Sequence, residues 1–168
     1  MAQAPTTALP SDLRDGQHDF DFLFGRWKVH NRRLAASLAG STHWREFDGT
    51  ATVRPVWGGA ANVDEYQANM EGERIDGMTI RLYNPASRQW NITWANRARG
   101  VLETPMVGEF HDGRGEFYDQ EQFRGRSIYV RYVWSGISKT SCRWEQAFSG
   151  DGGKTWETNW VMELTRIE

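Results

Sequence analysis

Short segments rich in β-branched and aromatic residues recur from Arg26 onward, at a spacing of roughly ten residues. Clusters of Gly, Asn, Asp and Pro, which favour turns, separate them. This pattern predicts ten antiparallel strands, near residues 26–35, 43–56, 61–70, 76–83, 89–96, 104–111, 116–123, 127–135, 139–149 and 156–166. Only residues 17–24 could form one or two turns of helix. The pattern is typical of an all-β meander.

The predicted hairpins each separate an apolar face from a charged face, because directly opposed residues of an antiparallel pair share a face. Around residues 84–87 the apolar pairs are Leu82 with Trp90, Ile80 with Ile92, and Met78 with Trp94. Across residues 150–153 they are Phe148 with Trp156, Gln146 with Thr158, Trp144 with Trp160, and Cys142 with Met162. Around Gly136 they are Tyr132 with Cys142 and Val130 with Trp144. Because no amphipathic helix is available to cover the dry face, we expect the sheet to close into a barrel.

Residues 20–29 contain a recognisable sequence motif, Gly25-x-Trp27, at the start of the first predicted strand. This motif resembles the G-x-W signature of the calycins, the superfamily of lipocalins and fatty-acid-binding proteins. Leu82-Tyr83-Asn84-Pro85 followed by Trp90, and the last strand at 156–164, resemble bacterial lipocalin-like domains of largely uncharacterised function.

The resemblance implies an antiparallel up-and-down barrel of about ten strands, closed at one end by Trp27 and holding a ligand cavity. It implies no substrate, since relatives range from carriers to enzymes. Nitrobindin-like barrels hold haem through a late histidine, whereas the last histidine of this chain is His111, so haem held in that way is not expected.

Composition narrows the class of protein. The length of 168 residues suits one domain, and we expect a flexible leader at 1–16, without a signal or membrane-spanning pattern, before a single barrel domain at 17–168. A net charge of -2 leaves no basic field for nucleic acid. The single Cys142 cannot form an internal disulfide, which favours a reducing compartment and hence the cytoplasm.

The chain is rich in aromatic residues, with nine Trp, eight Phe and five Tyr. These are more than a small barrel needs to fill its core. They could plug the interior, but neutral polar residues fall among them, and that mixture favours a ligand pocket. The residues predicted to bind the ligand are Trp90, Trp94, Trp144, Trp160, Tyr66, Asn96, Gln146 and Met78.

Two carboxylates could share this face. A two-residue turn at Arg124-Gly125 would pair Phe123 with Arg126, Glu121 with Ile128, Asp119 with Val130, and Phe117 with Tyr132. Burial would raise the pKa of Asp119 and Glu121 and prepare a general acid or base, with Tyr132 or Tyr66 as hydrogen-bond donor. In the alternative, a one-residue slip turns them to solvent and brings in Tyr118, Gln120 and Gln122.

Other motifs favour structural roles. Ser149-x-Asp151-x-Gly153-x-x-Trp156 matches the Asp-box pattern, and we interpret it as a tight hairpin rather than a glycosidase signature. The residues expected to be solvated are Glu65, Glu109, His30 and His111. The spacing of the histidines and Cys142 predicts no metal site.

The first functional hypothesis is therefore a binding protein for a small hydrophobic or aromatic molecule. The alternative is a cofactor-independent enzyme, such as an isomerase, cyclase or lyase, using Asp119 or Glu121 in the same cavity. We expect no cofactor, and neither nucleic acid nor a membrane as partner. The sequence leaves open whether the chain is a monomer or a homodimer.

Overall fold

In the computed structural model, which describes residues 15–167, an antiparallel sheet of eleven strands forms a closed barrel. The strands are β1 (Gly25–Leu34), β2 (Trp44–Val56), β3 (Ala61–Met70), β4 (Glu73–Asn84), β5 (Gln89–Asn96), β6 (Val101–Leu102), β7 (Met106–His111), β8 (Arg114–Phe123), β9 (Arg126–Ser135), β10 (Ser141–Ser149) and β11 (Glu157–Arg166). Two 3-10 helices span Asp21–Leu23 and Trp57–Gly59. The ten predicted strands are all present, and the two-residue β6 is additional.

Neighbouring strands in the chain pair with each other around the barrel, as in an up-and-down meander. β1 pairs with both β2 and β11, which joins the first strand to the last. β5 pairs with β4 on one side, and with both β6 and β7 on the other, so the ring is complete. The predicted all-β, up-and-down, closed barrel is confirmed.

An aromatic cluster fills one end of the barrel. Phe20, which is fully buried, lies at its centre, before the first 3-10 helix. Its ring centroid lies between 4.9 and 6.0 Å from the centroids of Trp90, Phe110, Phe117 and Trp134. Edge-to-face contacts dominate, as the quadrupoles of aromatic rings favour. This end is closed by packed side chains.

Trp27 seals the same end, as its G-x-W motif implies. It is fully buried, and its indole nitrogen donates to the carbonyl of Leu23 at 2.7 Å. The guanidinium of Arg166, at the end of β11, lies 4.2 Å from the Trp27 ring centroid. Arg166 also donates to the carbonyls of Phe22 and Phe24. The last strand thereby fixes the segment that enters the first.

The β8–β9 hairpin has the predicted register. Asp119 lies opposite Val130, and Glu121 lies opposite Ile128. Their neighbour Tyr118 is 42% exposed, on the outer face. Of the two registers that the sequence left open, the structure has the one that turns both carboxylates inward, and the one-residue slip does not occur.

The β4–β5 hairpin differs from the prediction by one residue. Tyr83, rather than Leu82, lies opposite Trp90. The turn contains one more residue than expected, because Arg88 adopts a φ of 58° and donates its N–H to the carbonyl of Asn84 at 2.7 Å.

That single residue reverses the faces of β4, because side chains alternate between the two sides of a strand. The residues turned outward are Met78, Ile80 and Leu82. Met78 is 36% exposed and borders an outer groove with Val101 and Leu102. The expectation that Met78 lines the cavity is therefore wrong.

The hairpins of β10 keep the predicted faces of Trp144 and Gln146 but not the predicted partners, and Trp156, predicted to face inward, packs outside against Tyr118. Trp144 lies opposite Met162 and Trp134, and a bulge follows Gln146. At Trp144 the β10–β11 register is shifted by two residues and the β9–β10 register by four, and an even shift leaves a side chain on the same face. The inward direction of Trp144 and Gln146 is therefore correct.

The Asp-box segment forms the predicted hairpin turn between β10 and β11. The carboxylate of Asp151 accepts the backbone N–H groups of Lys154 and Thr155, and also the hydroxyls of Ser149 and Thr155. These bonds, led by those of Thr155, lower the pKa of Asp151 to about 2. The spacing of the motif therefore serves to stabilise the turn through the hydrogen bonds of Asp151.

Residues 1–14 of the predicted leader lie outside the described residues. Gly16, which we assigned to the leader, is buried, its N–H donating to the Tyr83 hydroxyl at 3.2 Å. Its carbonyl accepts the indole N–H of Trp90 at 2.9 Å. The described chain therefore contacts the barrel at Gly16.

Candidate functional site

A cavity of about 410 Å³ occupies the part of the barrel that the aromatic cluster leaves unfilled. Side chains of β1 to β5 and of β8 to β11 line it, together with Leu23 and two residues of the 97–105 segment, Arg99 and Glu103. The volume lies in the range of small-molecule pockets, which is roughly 300–1,000 Å³.

Aromatic rings form much of the cavity wall. Trp144 lies at 4.9 Å from Tyr132 and 5.7 Å from Trp160, measured between ring centroids, and both contacts are edge to face. Elsewhere in the cavity lining, Tyr66 and Trp94 are 6.1 Å apart. A flat ligand would meet ring faces and edges on these surfaces.

Asn31 connects two of these rings. It is fully buried on β1, and its side-chain oxygen accepts the Tyr66 hydroxyl at 2.8 Å and the Trp160 indole N–H at 3.1 Å. Burial raises the pKa of Tyr66, and the hydrogen bond to Asn31 opposes that rise only partly. Sequence analysis missed Asn31, although it shares the alternating inward positions of Trp27 and Val29.

Asp119 and Glu121 form an acidic wall on β8. The two oxygens of the Asp119 carboxylate are buried, and no N–H or hydroxyl group of the described residues donates a hydrogen bond to them. Burial raises the pKa of Asp119 to about 8, helped by repulsion from Glu121, by a hydrogen bond that a shared proton allows, and by Glu103. Glu121 lines the cavity directly. At neutral pH Asp119 is therefore mostly protonated.

Tyr132 and Glu103 border the acidic wall. Burial raises the pKa of the Tyr132 phenol, and the negative charges of Glu121, Asp119 and Glu103 raise it further. Glu103 binds Arg99 at 2.6 Å, yet burial still raises the pKa of Glu103. Tyr132 therefore remains a neutral phenol that can donate a hydrogen bond.

A buried ion pair lies in the cavity lining. Arg81 and Asp64 are 4% and 5% exposed, and their nitrogen and oxygen are 2.6 Å apart. Asp64 also accepts the backbone N–H of Thr79, and Arg81 donates to Asn62. Sequence analysis missed the pair, because its β4–β5 register placed Arg81 outside.

The structure brings most of the predicted site residues together. Those that line the cavity are Tyr66, Trp94, Asn96, Glu121, Tyr132, Trp144 and Gln146. Asp119 and Trp160 lie directly behind this lining, in contact with Glu121 and Trp144 respectively. Trp90 differs, because it is fully buried in the closed-end cluster and hydrogen-bonded to Gly16.

Two charged residues of the cavity wall belong to no motif in the sequence and were not predicted as site residues. Arg33 ends the inward row of β1, and its guanidinium lies 4.6 Å from the Trp160 ring centroid. Glu73 lines the cavity from β4 and attracts Arg33. The cavity is therefore more highly charged than its tryptophans suggest.

Within residues 15–167, no group of three or more His, Cys, Asp or Glu side chains is arranged to hold a metal ion. In the same part of the chain, no helix has the length and apolar character that crossing a membrane requires.

Comparison with known proteins identifies the class by its fold. No family model matches the chain, and no curated protein matches it. Among solved structures, the S-type phycobiliprotein lyase CPES from Guillardia theta superposes with a TM-score of 0.61. The match covers 92% of this chain and 94% of that chain at 13% identity. The barrel therefore has a lipocalin-like fold.

Proposed function

We propose that this protein binds a small, largely apolar or aromatic molecule inside its barrel. The observation that carries the proposal is the ring-lined cavity of about 410 Å³. Ring faces supply apolar contact area, and the few polar groups among them would set the orientation of the ligand. A phycobiliprotein lyase with the same fold supports a role in handling small molecules.

The polar groups of the wall are arranged for this purpose. Asn31 fixes the rings of Tyr66 and Trp160, so these side chains lose little freedom when a ligand binds. Gln146 donates to Asn159 at 2.8 Å and keeps its carbonyl oxygen as an acceptor. The cavity is therefore partly preorganised.

Titration with Nile red, an uncharged aromatic dye, tests the proposal through dye emission and tryptophan quenching. We expect saturable binding, weakened at least roughly tenfold in Trp94→Ala, because that ring belongs to the cavity wall. Trp57→Ala is the matched control, since Trp57 is 76% exposed. Absence of saturable binding, or equal loss in both variants, contradicts the proposal.

A second candidate function is general acid or base catalysis without a cofactor. It is favoured by Asp119, whose buried carboxyl has neither a cation nor an N–H donor beside it in the described residues and whose pKa is raised to about 8. A carboxyl group with such a pKa exchanges its proton near neutral pH, which an isomerase, cyclase or lyase requires. Tyr132 would donate a hydrogen bond to the reacting oxygen.

5-Nitrobenzisoxazole provides a general test of this chemistry. A carboxylate removes its C–H proton, the N–O bond breaks, and the electron pair ends on the phenolate of a nitrile product. We expect a protein-dependent rate that rises with an apparent pKa near 8. In the Asp119→Asn, Glu121→Gln double variant, full retention of that rate would exclude these catalytic roles.

A further inference from the structure

The charged groups around the cavity do not balance. Arg81 is matched by Asp64, and Arg99 by Glu103, each at 2.6 Å. Arg33 lies over a tryptophan ring and is attracted by Glu73. Among the described residues, these three arginines are the only cations of the cavity lining.

Asp119 and Glu121 are left without a cation. In residues 15–167, no Lys, Arg or His nitrogen lies within 4.0 Å of either carboxylate. The charges that act most strongly on Asp119 are themselves negative, those of Glu121 and Glu103. Buried carboxylates are normally paired, so this wall lacks its counter-charge.

Aromatic rings line the cavity beside these acids. Trp144 is 8% exposed and belongs to the cavity wall. Tyr132, in edge contact with it, lies in the field of both carboxylates. Aromatic rings beside unpaired carboxylates form the environment that proteins use to hold organic cations.

We propose that the natural ligand carries a basic nitrogen, placed in the cavity against Glu121 and the Asp119 carboxyl behind it, while its apolar body contacts Trp144 and Tyr132. This inference rests on the proposed binding function and names its ligand class, an apolar or aromatic amine. The ammonium group supplies the missing cation.

The amine displaces a proton. In the free protein, a proton shared by Asp119 and Glu121 relieves their repulsion. The groups facing this pair from other elements are Tyr132 on β9 and the Arg99–Glu103 pair on the 97–105 segment. An ammonium ion binds best when both carboxylates are ionised, so amine affinity should fall as the pH is lowered from 8.5 to 6.

Calorimetric titration with 4-phenylbutylamine and the similarly shaped 4-phenyl-1-butanol provides the test. At pH 8.5 we expect the wild type to bind the amine at least tenfold more tightly than the alcohol. Asp119→Asn, Glu121→Gln should lose that preference while still binding the alcohol. Glu116→Gln, which removes a carboxylate from the outer side of the same strand, should keep it.

The wild-type protein alone provides an arm that does not depend on a variant folding. Between pH 8.5 and 6, amine affinity should fall at least fivefold while alcohol affinity stays constant. Equal affinity for the two probes, or failure of both while Nile red binds, overturns the amine inference and leaves the binding function intact. Failure of Nile red as well overturns both.

Discussion

At the scale of single residues, Asp119 shows why a binding site costs stability. The buried Asp119 carboxyl loses its hydration, and it gains neither a cation nor an N–H donor from the protein in exchange, only the proton that it shares with Glu121. A side chain of similar shape without the charge would be more stable there. The unpartnered state is the feature that a ligand can use.

Asp119→Asn should therefore stabilise the protein. The Asp119 carboxyl titrates near pH 8 in the folded state and near 3.9 in an unfolded chain. Between those values the folded state holds the extra proton, so the free energy of unfolding of the wild type falls as the pH rises from about 4 to about 8. We expect the variant to be more stable by about 1–2 kcal/mol at pH 8, after allowance for solvent screening, and nearly equal at pH 4.

Urea denaturation at both pH values measures the difference. Glu116→Gln is a control of opposite sign, because hydrogen bonds from Tyr118 and Arg114 lower the pKa of Glu116. Loss of the Glu116 carboxylate should lower the free energy of unfolding at pH 8. A wild type that is more stable than Asp119→Asn at pH 8 contradicts the assigned environment of Asp119.

Substitution of Arg81 or Asp64 should destabilise the protein, unlike substitution of Asp119, because these two charges are buried and paired with each other. Arg81→Met should lower the free energy of unfolding by about 3–5 kcal/mol, since it leaves the Asp64 carboxylate unpaired. Adding Asp64→Asn should restore at least half of the loss, because the amide oxygen can still accept the N–H of Thr79. Urea denaturation of the three proteins checks this, and an unchanged loss in the double variant contradicts it.

At the scale of strands and turns, the sequence predicted the faces that short turns determine. A two-residue turn at Arg124-Gly125 predicted the observed β8–β9 register and, by alternation, an inward Asp119, with a one-residue slip as the alternative left open. The turn before β5 could not be predicted in the same way. There Arg88, a residue with no intrinsic preference for positive φ, adds one position.

The pattern of apolar residues could not reveal this error in the register of β4, because the strand has apolar residues on its outer face and polar residues on its inner face. Met78 and Leu82 lie outside, while Arg81 and Thr79 lie inside. The inward charge is satisfied by Asp64 on β3, a contact between residues 17 positions apart in the chain. Such compensation is visible only in three dimensions, so the cavity tryptophans were predicted and its ion pair was not.

At Gly77 on β4, the missing side chain leaves room for the ring of Trp94 on β5. A Cβ atom at Gly77 would lie 1.7 Å from Cη2 of Trp94, so Gly77→Ala must displace that ring. We expect Nile red affinity to fall at least roughly fivefold, and stability to fall by about 1–3 kcal/mol.

Gly150→Ala is the matched control, because its Cβ atom would meet only Leu38, at 3.8 Å. Dye titration and urea denaturation of the two variants separate the effects. Wild-type dye affinity in Gly77→Ala would show that Trp94 does not shape the ligand site.

At the scale of the whole molecule, the tryptophans have two roles. Trp27 and Trp90 are fully buried in the closed end, whereas Trp94 and Trp144 line the cavity. Plug and pocket therefore coexist along the barrel axis. Strand alternation predicts which side chains face inward, but their depth depends on strand register around the whole ring.

This division predicts that a ligand stabilises the molecule as a whole. A molecule that binds only the folded barrel adds about 2.7 kcal/mol at a concentration 100 times its Kd. For a domain of this size, about 2–4 °C in Tm accompanies each kcal/mol, so calorimetry should show a rise of roughly 5–10 °C. The probe is whichever phenylbutyl compound binds more tightly. At the same concentration, Gly77→Ala should show a smaller rise, because its ligand affinity is lower. An unchanged Tm at saturation would mean that the probe binds the unfolded chain equally well, and hence that the folded cavity is not its site.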